Sequence, residues 1–237
     1  MRIVVTGAAS GIGAATARLL ASEGHQLVCM DRDAAALKDV AGAQAAITLD
    51  VSDEAAVIAA FREAGERLGG LDGLATCAGI YETTPFFETT AAIFRRVHEV
   101  NVIGTFLCLR EAAKLMAPGS RICTVGSVAG LRGGGLAGTV SYASSKGAVM
   151  AMTKNAARAL GERGIAVNTV APGMIETPFV TQPLSDPDIR RRIEGMAIQN
   201  RLGTAEEIAQ AIAWLLSPQS SFCTGMTLVA DGGMVMH

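Results

Sequence analysis

The sequence alternates along its whole length between two kinds of segment. Short runs of β-branched and other apolar residues are separated by Ala-rich stretches with helical periodicity. The seven runs lie at residues 3–5, 27–30, 46–49, 73–75, 122–125, 165–170 and 227–229. Strands that are joined through helices run parallel, with right-handed crossovers that place helices on both faces of the sheet. We therefore predict an α/β fold with a doubly wound, parallel, seven-stranded sheet.

Three of the intervening stretches carry an apolar stripe along one helical face. The stripes consist of Val57, Phe61, Ala64 and Leu68; of Ile93, Val97, Val100, Gly104 and Leu107; and of Ile208, Ile212 and Leu215. Thr204 and Glu207 precede the third stripe at the spacing of a capping box. These patterns predict three helices that pack their apolar faces on the sheet.

The composition bounds both the number of domains and the kind of partner. Half of the 237 residues are hydrophobic and 18% are charged, which is typical of a chain with a sizeable core. No linker or charge block divides it, so we expect one domain over residues 1–237. The net charge of -2 without basic clusters argues against nucleic acid as a partner. No apolar run approaches the ~18 residues of a spanning helix, so we expect no membrane partner.

The cysteines bear on the compartment. Their number is odd and no two form a CxxC pair: Cys29, Cys77, Cys108, Cys123 and Cys223. Apolar surroundings indicate free, buried thiols of a reducing compartment. The chain enters its first predicted strand almost at once, without an apolar leader. We therefore expect a cytoplasmic protein, and we expect no metal site.

A glycine-rich segment, TGAASGIG at residues 6–13, joins the first predicted strand to a helix. Gly7 permits the sharp turn, Gly11 leaves room for a pyrophosphate, and Gly13 lets the helix pack closely on the strand. The helix N-terminus offers unpaired N–H groups to phosphates. We expect Gly7, Ser10, Gly11, Ile12 and Gly13 to bind a dinucleotide; the alternative is a purely structural turn.

The residue that ends the second predicted strand indicates which dinucleotide binds. Asp31 lies 18 residues after Gly13, close to the spacing of about 20 expected for a carboxylate that binds the adenosine ribose. A carboxylate at this place repels a 2′-phosphate, whereas the adjacent Arg32 would attract one. Ser10, before Gly11, is not basic. The sequence therefore favours NAD over NADP, with Arg32 as either a second cofactor contact or a solvated surface residue.

Further motifs follow in a fixed order along the chain: DV at 50–51, NVIG at 101–104, YASSK at 142–146, PGMIET at 172–177 and DGG at 231–233. Together with the glycine spacing, they resemble the short-chain dehydrogenase/reductase family in its single-domain branch. The resemblance covers essentially the whole chain. It implies a Rossmann-type fold and oxidoreductase activity with a nicotinamide cofactor.

The resemblance assigns catalytic roles to Asn101, Ser127, Tyr142 and Lys146. Tyr142 and Lys146 lie four residues apart, on one helical face. A nearby lysine cation favours the phenolate, so Tyr142 is expected to be the general acid/base. Ser127 is expected to hold the substrate oxygen, and Asn101 to kink its helix and hold a water next to Lys146. Taken singly, each of the four also fits a packing, surface, turn or capping role.

The same resemblance completes the expected cofactor site, to which Tyr142 and Lys146 also belong. It adds Asp50, Val51, Ala78, Gly79, Pro172, Gly173, Ile175 and Thr177. One departure is clear, because Thr76 and Cys77 stand where the family usually has two asparagines. We expect Cys77 to pack as a small apolar residue, since no basic partner is evident near it in the sequence.

The substrate side is expected to be apolar. A lid is expected at about residues 174–200, and the loop after the fourth strand adds aromatic residues. The expected lining residues are Met174, Ile175, Phe179, Leu184, Tyr81, Phe86 and Phe87. Such a lining suits an aliphatic, alicyclic or acyl substrate. The resemblance also implies a homotetramer, or a homodimer, through the helices that start near Asn101 and Tyr142; Val149, Met150, Met152 and Ala156 are the expected apolar contacts.

The sequence thus predicts an enzyme that transfers a hydride between NAD(H) and a secondary alcohol or its ketone. Three alternatives remain open at this stage. One is an NADP(H)-dependent 3-oxoacyl-thioester reductase. Another is a catalytically silent NAD-binding regulator or scaffold. The third is a different enzyme on a similar fold, such as an epimerase or a methyltransferase.

Overall fold

The seven apolar runs all form strands, and the inner strands of the sheet bury both of their faces. In a computed structural model, the described residues are 1–38, 40, 42–134, 139–177 and 186–236. Phe179 and Leu184 of the expected lid lie outside them. The strands are β1 (Arg2–Thr6), β2 (Gln26–Asp31), β3 (Ala45–Thr48), β4 (Leu71–Thr76), β5 (Met116–Val125), β6 (Ala166–Pro172), β7 (Ile175–Glu176), β8 (Gly203–Thr204) and β9 (Thr227–Ala230).

The main sheet has the order β3-β2-β1-β4-β5-β6-β9, and all of its strands run parallel. The order reverses direction between β1 and β4. At such a switch point the connections diverge to opposite faces and leave a crevice at the carboxyl ends of the strands. The predicted doubly wound, seven-stranded sheet is confirmed. A separate two-stranded pair joins β7, near the start of the expected lid, to β8, which follows the lid.

Helices cover both faces of this sheet. The α-helices of the described chain are α1 (Gly11–Ser22), α2 (Ala34–Leu37), α3 (Glu54–Leu68), α4 (Ala91–His98), α5 (Thr105–Leu115), α6 (Val128–Arg132), α7 (Val140–Gly161), α8 (Pro187–Glu194) and α9 (Ala205–Leu216). The predicted stripes of α3 and α9 are buried. The capping box of Thr204 and Glu207 at the start of α9 is present.

Strand pleating divides the apolar side chains of β1 between two cores. Val4 packs with α3, α5 and α7 on one face. Ile3 and Val5 pack with α1 and α9 on the other. All three side chains are fully buried. The two cores together hold the carboxyl ends of the strands in a fixed arrangement.

The long helix expected around the second stripe is interrupted. A π-helical segment, Glu99–Gly104, separates α4 from α5. Asn101 lies within it and is fully buried. A π-bulge of this kind often occurs at a functional site. Among the described residues, no helix is long and apolar enough to cross a membrane.

Candidate active site

A cavity of about 450 Å³ opens over the carboxyl ends of the strands at the switch point. It brings together every residue expected to bind a cofactor: Gly7, Ser10, Gly11, Ile12, Gly13, Asp31, Arg32, Asp50, Val51, Ala78, Gly79, Tyr142, Lys146, Pro172, Gly173, Ile175 and Thr177. Ser127 lines it as well. Of the candidate catalytic residues, only Asn101 does not line the cavity.

The glycine loop has the geometry that a pyrophosphate requires. Gly7 and Gly11 have φ angles of 68° and 51°, which favour glycine. A Cβ atom on Gly13 would lie 2.0 Å from the carbonyl oxygen of Gly7, so α1 approaches β1 as closely as a backbone can. Ser10 at the N-cap makes no side-chain capping bond, and the first turn of α1 has no acidic residue. The N–H groups of this turn are therefore available to an anion.

Asp31 also holds the glycine loop in place, a role that the sequence did not predict. Its Oδ2 accepts a hydrogen bond from the backbone N–H of Ala9 at 3.0 Å. Its Oδ1 accepts another from the N–H of Asp33, also at 3.0 Å. A carboxylate has four lone-pair sites, so these two bonds leave capacity for ribose hydroxyl groups. Asp31 therefore joins the end of β2 to the loop that would hold the phosphates.

Tyr142 lies in the first turn of α7, facing Ser127 at the end of β5. Burial raises the pKa of Tyr142 to about 12, against a hydrogen bond with Ser127 that lowers it. Ser127 also caps α6, since its Oγ accepts a bond from the N–H of Ala129 at 3.1 Å. The shared hydrogen bond fixes where a substrate oxygen would meet both hydroxyl groups.

Lys146 follows Tyr142 by one helical turn and is buried. Burial lowers its pKa to about 8. Its Nζ donates a hydrogen bond to the carbonyl oxygen of Val125 at 2.8 Å and lies 5.8 Å from the centre of the Tyr142 ring. Burial is the largest influence on the pKa of Tyr142 in the structure. The expectation that Lys146 promotes ionisation of Tyr142 stays a prediction.

Asn101 does not line the cavity but makes hydrogen bonds with a residue that does. Its Oδ1 accepts a hydrogen bond from the N–H of Ile80 at 2.8 Å, and its Nδ2 donates to the carbonyl oxygen of Ile80 at 3.0 Å. Nδ2 also donates to Ser145 Oγ at 3.0 Å. Asn101 thus ties the segment after β4 to α7. Neither Ile80 nor Ser145 stood out in the sequence, because such contacts carry no local pattern.

The Thr76–Cys77 pair takes the place where two asparagines were expected. Cys77 lines the cavity, and burial raises the pKa of its thiol to about 12 although Lys146 acts to lower it. The expectation that no basic group lies near Cys77 was wrong, because the fold brings Lys146 close. The thiol nevertheless stays protonated. The Oγ1 of Thr76 is buried without a hydrogen-bond partner among the described residues.

The substrate end of the cavity is aromatic and apolar. Tyr81, Ile80 and Met174 line it. The ring of Tyr81 stands nearly perpendicular to that of Tyr142, with the ring centres 5.2 Å apart. Phe86 and Phe87 do not line the cavity; they lie in a short 3₁₀ turn and are 69% and 98% exposed. Their expected role was wrong, since apolar residues in a loop give no direction to a side chain.

Comparisons with known proteins identify the family of this chain. A family model described as enoyl-(acyl carrier protein) reductase matches residues 7–235. The chain is 41% identical to cis-4-hydroxycyclohexanecarboxylate dehydrogenase of Sinomonas cyclohexanicum, over 97% of this chain and 94% of that protein. It is 36% identical to a 3-oxoacyl-(acyl-carrier-protein) reductase of Escherichia coli, over 98% and 96%.

The solved structures give the same result. A short-chain dehydrogenase/reductase from Brucella melitensis, described as a glucose/ribitol dehydrogenase, superposes with a TM-score of 0.93 at 35% identity. The match covers 99% of this chain and 96% of that one. The family model and the solved structure both match nearly the whole chain. The protein belongs to the short-chain dehydrogenase/reductase family, whose members are oxidoreductases that bind nicotinamide cofactors.

Proposed function

We propose that this protein transfers a hydride between NAD(H) and a secondary alcohol or the corresponding ketone. The observation that carries the proposal is the pairing of Tyr142 with Ser127 in the same cavity as the glycine loop and Asp31. A catalytically silent NAD-binding protein has no need for a buried lysine one turn from a buried phenol.

The residues divide the reaction between them. When bound, the nicotinamide supplies the hydride to the ketone, or accepts it from the alcohol. Tyr142 donates its phenolic proton to the forming alkoxide, and in the reverse direction removes the proton of the alcohol. Ser127 Oγ donates a hydrogen bond to the substrate oxygen and stabilises its developing charge. Lys146 would hold the nicotinamide ribose, and Asn101 keeps the cavity wall and α7 in register.

The cofactor choice rests on Asp31. A carboxylate at the end of β2 disfavours the 2′-phosphate of NADP, and Arg32 beside it is exposed. We expect Asp31→Asn to lower kcat/KM with NAD and raise it with NADP, changing their ratio roughly 10-fold or more. The amide oxygen still accepts from Ala9, so the loop is kept. Arg32→Gln is the control, and its ratio should move the other way or stay constant.

If the ratio of kcat/KM with NAD to kcat/KM with NADP were unchanged in Asp31→Asn, Asp31 would not determine the choice of cofactor. Steady-state kinetics with both nucleotides measures the ratio directly. Binding of NADH and NADPH, followed by fluorescence, separates an effect on affinity from one on turnover.

The substrate we infer has an apolar and uncharged carbon skeleton next to the reacting oxygen. Of the described residues that line the substrate end, none but Lys146 carries a charge, and Lys146 donates to Val125. The relative from Sinomonas is named for an alicyclic hydroxy acid, and that from Escherichia coli for an acyl thioester. Of these two substrate types, an alicyclic ring fits the apolar lining of this cavity better than an acyl thioester does.

An absorbance assay of the nicotinamide tests this function. NAD and NADP are paired with secondary alcohols, and NADH and NADPH with ketones and β-ketoacyl thioesters. We expect turnover with NAD(H) and neutral alicyclic or aliphatic substrates. Turnover only with NADPH and thioesters would favour the acyl-thioester reductase instead. Binding of NADH without turnover of any of them would favour the silent protein.

We also propose a homotetramer in the cytoplasm. None of the five cysteines is paired, which fits a reducing compartment. Of the expected contact residues, Val149 and Met150 are buried within the chain, and only Met152 and Ala156 remain partly exposed. Ile103 and Phe106, next to Asn101, are instead 41% and 46% exposed. Sedimentation of the purified protein decides the assembly.

A further inference from the structure

A carboxylate outside the predicted set joins two walls of the active site. Glu82 lies in the loop between β4 and α4, and its Oε1 accepts hydrogen bonds from the hydroxyl groups of both Thr139 and Ser141. Its Oε2 accepts another from the N–H of Thr84 at 2.7 Å. Thr139 and Ser141 belong to the start of α7. One side chain therefore fastens the loop after β4 to the helix that carries Tyr142.

The start of α7 lacks the acidic residue that a long helix would ordinarily use there. Its N-cap, Thr139, makes no side-chain capping bond to the helix, and the first turn has no Asp or Glu. A negative charge is favourable at this end of a helix, and Glu82 supplies it from another segment. Burial opposes ionisation of Glu82, but hydrogen bonds from Ser141, Thr139 and Thr84 outweigh it and hold its pKa below the usual value.

The neighbours of these residues are the two phenols of the site. Tyr81 directly precedes Glu82, and Tyr142 directly follows Ser141. The two tyrosine rings meet edge to face, with their centres 5.2 Å apart. Edge-to-face contact is a favourable arrangement for two aromatic rings. The bonds of Glu82 thus hold the two sides of this ring pair together.

We propose that Glu82 is a positioning residue for Tyr142: it fastens Tyr81 against the first turn of α7, so that the phenol of Tyr142 faces Ser127 and the reacting oxygen. The inference deepens the proposed function and rests on it. Glu82 does not itself line the cavity, and it acts through its chain neighbour Tyr81 and through Ser141. Its effect on the reaction is therefore on the geometry of the proton transfer, and not on cofactor binding.

Three variants test the proposal. We expect Glu82→Ala to lower kcat roughly 10- to 100-fold, the scale of a small misplacement of a catalytic group. Glu82→Gln keeps an acceptor oxygen but loses the charge, so its loss is smaller. Glu88→Gln changes an exposed glutamate of the same loop and keeps the wild-type kcat. The Kd for NADH, measured by fluorescence, stays within about two-fold in all three, since Glu82 is outside the cofactor site.

Hydrogen–deuterium exchange gives a second readout that needs no turnover. In the native protein the N–H of Ala143 donates to the carbonyl oxygen of Thr139 at 2.9 Å. We expect Glu82→Ala to speed exchange in peptides that cover 80–84 and 139–146, while Glu88→Gln leaves it unchanged. Should Glu82→Ala fail to fold, Ser141→Ala removes one of the bonds at a buried site where alanine fits.

The outcomes separate the two ideas. A wild-type kcat in both Glu82 variants would overturn the positioning role, and unchanged exchange would overturn the link between loop and helix. If the wild-type protein turns over no alcohol or ketone, the proposed function fails. The exchange measurement then still decides whether Glu82 fastens the two segments.

Discussion

The pKa of Lys146 depends strongly on the burial of its side chain. Among the described residues its ammonium donates to the carbonyl oxygen of Val125, and burial lowers its pKa to about 8. Tyr142, one turn away, is shifted in the other direction, to about 12. Desolvation disfavours the charged form of each, so both groups are held neutral over a wide alkaline range. The two shifts predict opposite effects on stability.

Between about pH 8 and 10 the unfolded chain keeps the proton on Lys146 that the folded protein has released. The free energy of unfolding should therefore rise with pH in that window. We expect Lys146→Met to lack this rise, so that wild type gains on the order of 2 kcal/mol relative to the variant from pH 8 to pH 10. Above about pH 10 the raised pKa of Tyr142 reverses the trend in both proteins.

Urea unfolding at several pH values measures the difference. Lys154→Met, an exposed lysine of the same helix, is the matched control and should follow wild type. Parallel curves for wild type and Lys146→Met would show that the buried ammonium does not set this pH dependence.

At the scale of elements, the π-helical segment interrupts the helix at Asn101, where the resemblance implied a kink but the apolar pattern did not. The stripe from Ile93 to Leu107 predicted one long helix, and the apolar spacing alone gives no sign of a π turn. Within this segment Asn101 binds both the N–H and the carbonyl oxygen of Ile80. A side chain that replaces a strand partner in this way supports the backbone after β4, where the sheet itself ends.

Asn101→Ala should leave the backbone groups of Ile80 without these partners in a partly buried place. We expect it to cost about 2–4 kcal/mol in the free energy of unfolding. Asn155→Ala, an exposed asparagine on α7, should cost less than about 0.5 kcal/mol. Urea denaturation of the two variants decides this. Equal midpoints would mean that Asn101 contributes little to holding the wall of the cavity.

At the scale of the whole molecule, the sequence predicted the sheet because strand burial on both faces leaves a direct pattern of apolar runs. The glycine loop and Asp31 were found because local backbone chemistry fixes their spacing. Contacts between segments that are distant in the sequence were not predicted. Glu82 meets Thr139 and Ser141 across more than fifty residues, and no local pattern marks such a pair. The prediction that Phe86 and Phe87 line the cavity was wrong for a related reason. The direction of a side chain in a loop is set by packing with distant segments.

The central claim is that Tyr142 exchanges the proton in an oxidoreductase reaction. Tyr142→Phe keeps the ring and its contact with Tyr81, and removes only the hydroxyl group that meets Ser127. The direct measurement is turnover of NADH with a ketone, together with NADH binding, in wild type and Tyr142→Phe. The account predicts that kcat falls by roughly 1,000-fold or more while the Kd for NADH changes less than about two-fold. A variant that keeps its turnover would contradict the assignment of the acid and base to Tyr142.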